Sequence, residues 1–158
     1  MKRMHLHIAV ADLNQSITFY NSLFGAPPTV TKDDYAKWLL DDPSVNFAIS
    51  TRSGQTGLDH IGIQAENESE LVEIKTRLDA AEMNMVSQEG ETCCYSKSDK
   101  HWVQDPSGIA WETYNTLESA PTFNGSEAND SEEAVAAACC APAPQAVQFM
   151  AKPKSKCC

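Results

Sequence analysis

Three absences narrow what this chain does. It has no apolar run near the roughly 20 residues that a membrane-spanning helix needs. The start, MKRMHLHIAV, is basic, but His5, His7 and then Asp12 interrupt any apolar stretch. No secretory signal is read there, and the expected address is the cytoplasm. A basic surplus is also missing. Twelve Lys and Arg face 22 Asp and Glu, a formal net charge of -10, which speaks against a nucleic-acid footprint. Finally, six cysteines are present without a single CxxC, so a zinc ribbon or thioredoxin-like site is not expected.

Those cysteines stand as three adjacent pairs: Cys93-Cys94, Cys139-Cys140 and Cys157-Cys158. Neighbouring Cα atoms are about 3.8 Å apart, shorter than an ordinary disulfide favours, and a reducing cytosol keeps such pairs as thiols. A pair of thiolates selects a soft ion, and trivalent arsenic fits that description.

Hydrophobic patterning gives one domain, written twice. Residues 4–10 read as a strand. Asp12 with Gln15 then forms a capping box, Leu13, Ile17, Tyr20, Leu23 and Phe24 follow at helical spacing, and Gly25 with Pro27-Pro28 ends the helix. Strands are expected around Tyr35–Leu40 and Val45–Ser50. The order then repeats: His60 to Ala65 as a strand, Asn67 with Glu70 as a second capping box, and Leu71, Ile74, Leu78 and Ala81 on a helix face. His5 precedes Asp12 by seven positions and His60 precedes Asn67 by the same seven. The expected class is α+β, with two tandem β-α-β-β-β modules (about 1–55 and 56–118) around a metal-binding cleft. Extra length in the second module falls at 84–101, around Cys93-Cys94, where a loop is expected. Residues 119–158, rich in Ala, Pro, Ser and Asn, read as a disordered tail, either a dispensable extension or one whose four cysteines capture soft ions. Closure of the cleft within a monomer or across a homodimer stays open.

Two constellations carry chemistry. The first is His5, His60 and Glu112, the last a lone carboxylate in the strand-like run Ile109–Tyr114, where burial is costly unless the charge is paired or holds a metal. Two imidazoles and one carboxylate with open positions suit non-haem Fe(II) and O2. His7 points to the same strand face as His5 and competes for the role. The second constellation is Cys93-Cys94. Both sulfurs reach one atom only if the backbone there is irregular, which Gly90 upstream allows. Lys97, Lys100 and His101 are the nearby cations that favour thiolates, and His101 is expected at the surface or behind the metal ligands.

His5-x-x-Ile8-x-Val10-x-Asp12-Leu13, Ser16–Tyr20, Leu23-Phe24-Gly25 and Asp105-Pro106-Ser107-Gly108 before Glu112 resemble the vicinal oxygen chelate superfamily over residues 1 to about 118. Cys93-Cys94-Tyr95-Ser96 with Asp99-Lys100 and Trp102-Val103 resembles, more narrowly, its organoarsenical carbon–arsenic lyases and the related cadmium-induced proteins. The resemblance implies a small-molecule substrate, a trivalent organoarsenical held by Cys93 and Cys94. It also implies Fe(II) on His5, His60 and Glu112, O2 as co-substrate, and formaldehyde and arsenite as products. Tyr95, Lys100 and Trp102 are candidates for shaping the pocket or donating a proton. A glyoxalase would want a second carboxylate where Ala48 or Ile49 falls. The rival outside catalysis is sequestration of cadmium or arsenite by the paired cysteines.

Overall fold

The computed structural model describes residues 1–123, so residues 124–158 with the four tail cysteines lie outside the described residues, whereas the first residues assigned to the tail are placed, Ser119 ending a strand and Phe123 buried. Eight strands form one mixed sheet in the order β2-β3-β4-β1-β5-β8-β7-β6. The first module is β1 (Arg3–Ala9), α1 (Leu13–Phe24), β2 (Val30–Lys32), β3 (Tyr35–Asp41) and β4 (Ser44–Ser50). The second is β5 (Gly57–Ala65), α2 (Glu68–Ala80), β6 (Val86–Cys93), β7 (Ser96–Gln104) and β8 (Ala110–Ser119). Within each module the first and last strands run parallel, β1 with β4 and β5 with β8. The modules join through the antiparallel pair β1–β5.

Both helices start where their side chains cap them. Asp12 accepts the Gln15 amide at 2.9 Å and Asn67 accepts that of Glu70 at 3.0 Å, so each satisfies an orphan donor of the first turn. Gly25, at φ 67°, ends α1 in the left-handed region that a residue without Cβ adopts freely. Strand alternation then sorts the side chains. Leu6 and Ile8 of β1 join Trp38, Phe47 and Ile49 in the core beneath α1, while His5 and His7 point to the other face. On that face, residues of β1, β3, β4, β7 and β8 line a single hollow.

The 84–101 segment corrects the loop reading. It is a β-hairpin in which β6 and β7 meet through the two-residue turn Cys94-Tyr95, with φ 57° and 60°. Gly90 sits at a bulge in β6, where its amide donates to Asp99 Oδ1 at 2.7 Å; the irregular backbone that matters is the turn itself. Two consecutive left-handed residues define the tight hairpin turn normally built from Asn-Gly.

Candidate metal and thiol site

His5 of β1 and Glu112 of β8 line the hollow, and His60 of β5 meets both at its wall. The two Nε2 atoms are 3.1 Å apart, and Glu112 Oε2 lies 3.7 Å from that of His5 and 3.6 Å from that of His60. All three residues are buried. Two ligands about 2.1 Å from one ion and at right angles would be about 3 Å apart, so these separations fit three donors of a common cation. The far ring nitrogens are occupied: His5 Nδ1 donates to the Asn46 carbonyl at 3.1 Å and His60 Nδ1 to Asp59 Oδ1 at 2.7 Å. Ser53 in turn donates to Asp59 at 2.6 Å. Each ring is thereby fixed with its Nε2 facing inward, the arrangement of outer partners that metal-binding histidines use. The donor set fits a divalent first-row metal.

Strand register accounts for the choice of residues. Two positions beyond each module's histidine, His7 pairs with Ala48 and Gly62 pairs with Glu112. Ala48 is therefore the first module's counterpart of Glu112. It lines the hollow with a methyl group, so this position offers no further donor beside the three. Gly62 is what lets β8 come close, because a Cβ there would stand 1.9 Å from the Glu112 carbonyl oxygen.

His7, the competing ligand, lies against Ser50 Oγ at 2.9 Å and packs edge-on to His60. Its ligand atoms group with Asp59 and His60, whereas those of His5 group with His60 and Glu112. Burial, followed by the neighbouring His60 charge, lowers His5 to about 3 and His7 to about 4. Burial also opposes charge on His60, yet hydrogen bonds to Asp59 and Glu112 overcome it and raise that group to about 9. Glu112 is held well below the usual carboxylate range: burial opposes its charge, and the Lys100 ammonium and the two imidazoles outweigh it.

These shifts set an expected stability profile for chelator-treated protein. His5 and His7 take up protons on unfolding, so stability falls as pH drops from 6.5 toward 4. The loss is about 1.4 kcal/mol per pH unit for each histidine. The raised His60 works oppositely: its contribution is complete below 6.5 and is lost as pH rises toward 9. Urea unfolding across this range should show a maximum near pH 6.5, and a flat profile would contradict these assignments.

Cys94 lines the same hollow as His5 and Glu112. Cys93, at the end of β6, is buried with Tyr35, Ala48 and Phe123. The two sulfurs are 3.1 Å apart, close enough for one atom to hold both. Cys93 is disulfide-bonded, so reduction precedes its use as a thiolate. The turn is anchored across the cleft: Tyr95 Oη donates to Asp34 at 2.7 Å, Arg52 pairs with Asp34, and Phe123 packs against the Tyr95 ring.

The remaining candidates separate. Lys100 reaches the hollow, but its ammonium is spent on Glu112 Oε1 at 2.8 Å. Trp102 packs edge-on to His60 and donates to Gln88 rather than lining the hollow. Lys97 pairs with Glu118 at 3.5 Å, half-exposed. His101 is buried on the other face against Ser87, contrary to the surface or second-layer expectation. The cation beside Cys94 is Lys37, which sequence reasoning missed. It lies in β3, pairs with Ala48 and lines the hollow. Burial depresses its ammonium and the Cys94 sulfur partly restores it. No local pattern marks Lys37, because only the register carries it here.

The chain belongs to the Glyoxalase/Bleomycin resistance protein/Dioxygenase superfamily, whose family model matches residues 2–113. It is 41% identical over 150 residues to a trivalent organoarsenical cleaving enzyme of Bacillus sp. (strain MD1), covering 90% of this chain and 92% of that one. It is 34% identical over 142 residues to the cadmium-induced protein CadI of Mycobacterium tuberculosis, covering 89% and 93%. Among solved structures, the Mn(II)-bound glyoxalase of Novosphingobium aromaticivorans aligns with 81% of this chain and 44% of that one, at a TM-score of 0.55 and 16% identity. Homoprotocatechuate 2,3-dioxygenase of Arthrobacter globiformis aligns with 73% and 36%, at 0.55 and 15%. These structural likenesses concern the fold. Among the described residues no helix is long and apolar enough to cross a membrane.

Proposed function

We propose that this chain cleaves the carbon–arsenic bond of trivalent organoarsenicals, methylarsenite in the first instance, as an Fe(II)-dependent dioxygenase. The observation that carries the reading is the sharing of one hollow by Cys94, His5 and Glu112. Relatives named for cleaving trivalent organoarsenicals support it. His5, His60 and Glu112 would hold Fe(II), which when bound supplies the means of activating O2. Cys93 and Cys94 fix arsenic from the turn, and the Tyr95–Asp34–Arg52 contacts hold that turn across the cleft. Confining the two reactants in one hollow is a positioning effect that lowers the barrier. Tyr35 and Tyr114, which line it, are raised well above the usual phenol range, chiefly by burial, and stay protonated. The stoichiometry closes: methylarsenous acid plus one O2 contains the atoms of formaldehyde plus arsenous acid. The carbon gives up the four electrons that O2 takes, and arsenic stays trivalent.

The test is to reduce the full chain, load it with Fe(II) without oxygen, and add methylarsenite under air. Arsenite, formaldehyde and O2 uptake should appear in equal amounts; no arsenite release would overturn the reading. Sequestration is the second reading, favoured by the 3.1 Å approach of the two sulfurs, and it foresees binding without turnover.

Replacing Cys94 with Asn separates binding from folding. A residue other than Gly costs about 1 kcal/mol in the left-handed region, and Asn tolerates it better than Cys. Thermal unfolding should show gained stability of that order. Losing one of two thiolates should weaken methylarsenite binding about a hundred-fold or more, read by equilibrium dialysis.

A further inference from the structure

Glu112 offers two oxygens, and the structure divides them. Oε2 faces the two imidazoles at 3.7 and 3.6 Å, whereas Oε1 lies 2.8 Å from Lys100 Nζ. Both partners of this ion pair are buried, with relative exposures of 3% for Lys100 and 5% for Glu112. The lysine is placed firmly. In the β7–β8 register Trp102 pairs with Glu112 and Lys100 with Tyr114, so Lys100 projects to the same face one step along. Its chain runs past the Trp102 ring, with Nζ 6.0 Å from the ring centre.

We propose that Lys100 is a positioning residue that reserves one oxygen of Glu112, so that the carboxylate serves the metal through Oε2 alone and a coordination position stays open. This deepens the metal-centre reading above and rests on it. A carboxylate binds a cation through one oxygen or through both, and which it does depends on what else engages the second. A charge-assisted hydrogen bond between buried partners is among the stronger non-covalent contacts a side chain makes. With Lys100 in place, the second oxygen is engaged before any ion arrives. Without it, Oε1 is left buried with no other partner of opposite charge among the described residues, next to a cation it can close upon. The position so filled is one that a small reactant would otherwise take. The role differs from proton donation, because the ammonium is turned to Glu112. Arg at position 100 keeps the charge and the hydrogen bond, Gln keeps a weaker donor, and Met keeps only length.

The experiment uses the reduced full chain loaded anaerobically with Fe(II), and nitric oxide as probe. Nitric oxide is small and neutral, so removing the lysine charge does not itself change its attraction. Iron stoichiometry, nitric oxide affinity and the electron paramagnetic resonance signal are read for the parent, Lys100→Arg, Lys100→Gln and Lys100→Met. The expected order of nitric oxide affinity is parent and Arg, then Gln, then Met, the last weaker by roughly ten-fold with iron still bound one to one. Equal affinity in the parent and Met forms overturns the proposal and leaves the metal centre standing. A parent that binds no Fe(II) overturns both. If the Met form does not fold, the Gln form decides: unchanged affinity and signal reject the role, and a fall between Arg and no binding supports it.

Discussion

Glu112→Gln is expected to abolish arsenite release while methylarsenite still binds. The neutral amide cannot supply the anionic oxygen that stands 3.7 and 3.6 Å from the two imidazoles. The sulfur pair, by contrast, is held by contacts that do not involve Glu112: Tyr95 with Asp34, and the Ala120 amide with the Tyr95 carbonyl at 2.7 Å. Folding stability should fall as well, because Lys100 is left charged and buried without its partner. Breaking such a pair costs about 3–5 kcal/mol. The double variant Glu112→Gln with Lys100→Met should recover part of that loss and none of the turnover. Dialysis against methylarsenite, an arsenite assay and urea unfolding give the three readouts. Turnover within ten-fold of the parent would remove Glu112 from the centre, and a loss of arsenical binding equal to the loss of turnover would show that the two halves of the site are not separable.

Gly62→Ala should be the most damaging single methyl group in the second module. The added carbon would stand 1.9 Å from the Glu112 carbonyl oxygen and 2.8 Å from its carbonyl carbon. These atoms are backbone, so no side-chain rotation relieves the clash and β8 must shift from β5. Overpacking of this kind costs about 1–3 kcal/mol, and here the upper end is expected. The shift also carries Glu112 away from His60, so metal affinity should drop together with stability. Ala48→Gly serves as a control: it removes a methyl group at the symmetric wall without touching the β5–β8 seam. Calorimetric unfolding and Fe(II) titration check both; a Gly62→Ala protein with parental melting and metal affinity would refute the close approach.

What could be read in the residues was what local spacing encodes. Asp12 with Gln15 and Asn67 with Glu70 gave both helix starts, and the matched seven-residue spacing before them marked His5 and His60. Glu112 stood out because a carboxylate within Ile109–Tyr114 has few reasons to be there. What depended on strand register was hidden. Lys37 shares the hollow with Cys94 only because β3 lies beside β4, and Asp59 matters only because His60 Nδ1 turns to it. The hairpin was missed for a different reason. Cys-Tyr is poor turn chemistry where Asn-Gly is usual, so the residues that bear on function mask the turn that presents them.

The seam between β1 and β5 has a consequence for how the protein works in a dilute cell. His5 comes from one half and His60, Glu112 and the cysteine turn from the other, yet both halves are tethered on a single polypeptide. If the proposed centre is complete within one molecule, output per molecule is expected to hold steady as the concentration falls, and a loss of activity on dilution would point to a centre shared between copies. A cell making only a few copies would then draw full benefit from each of them.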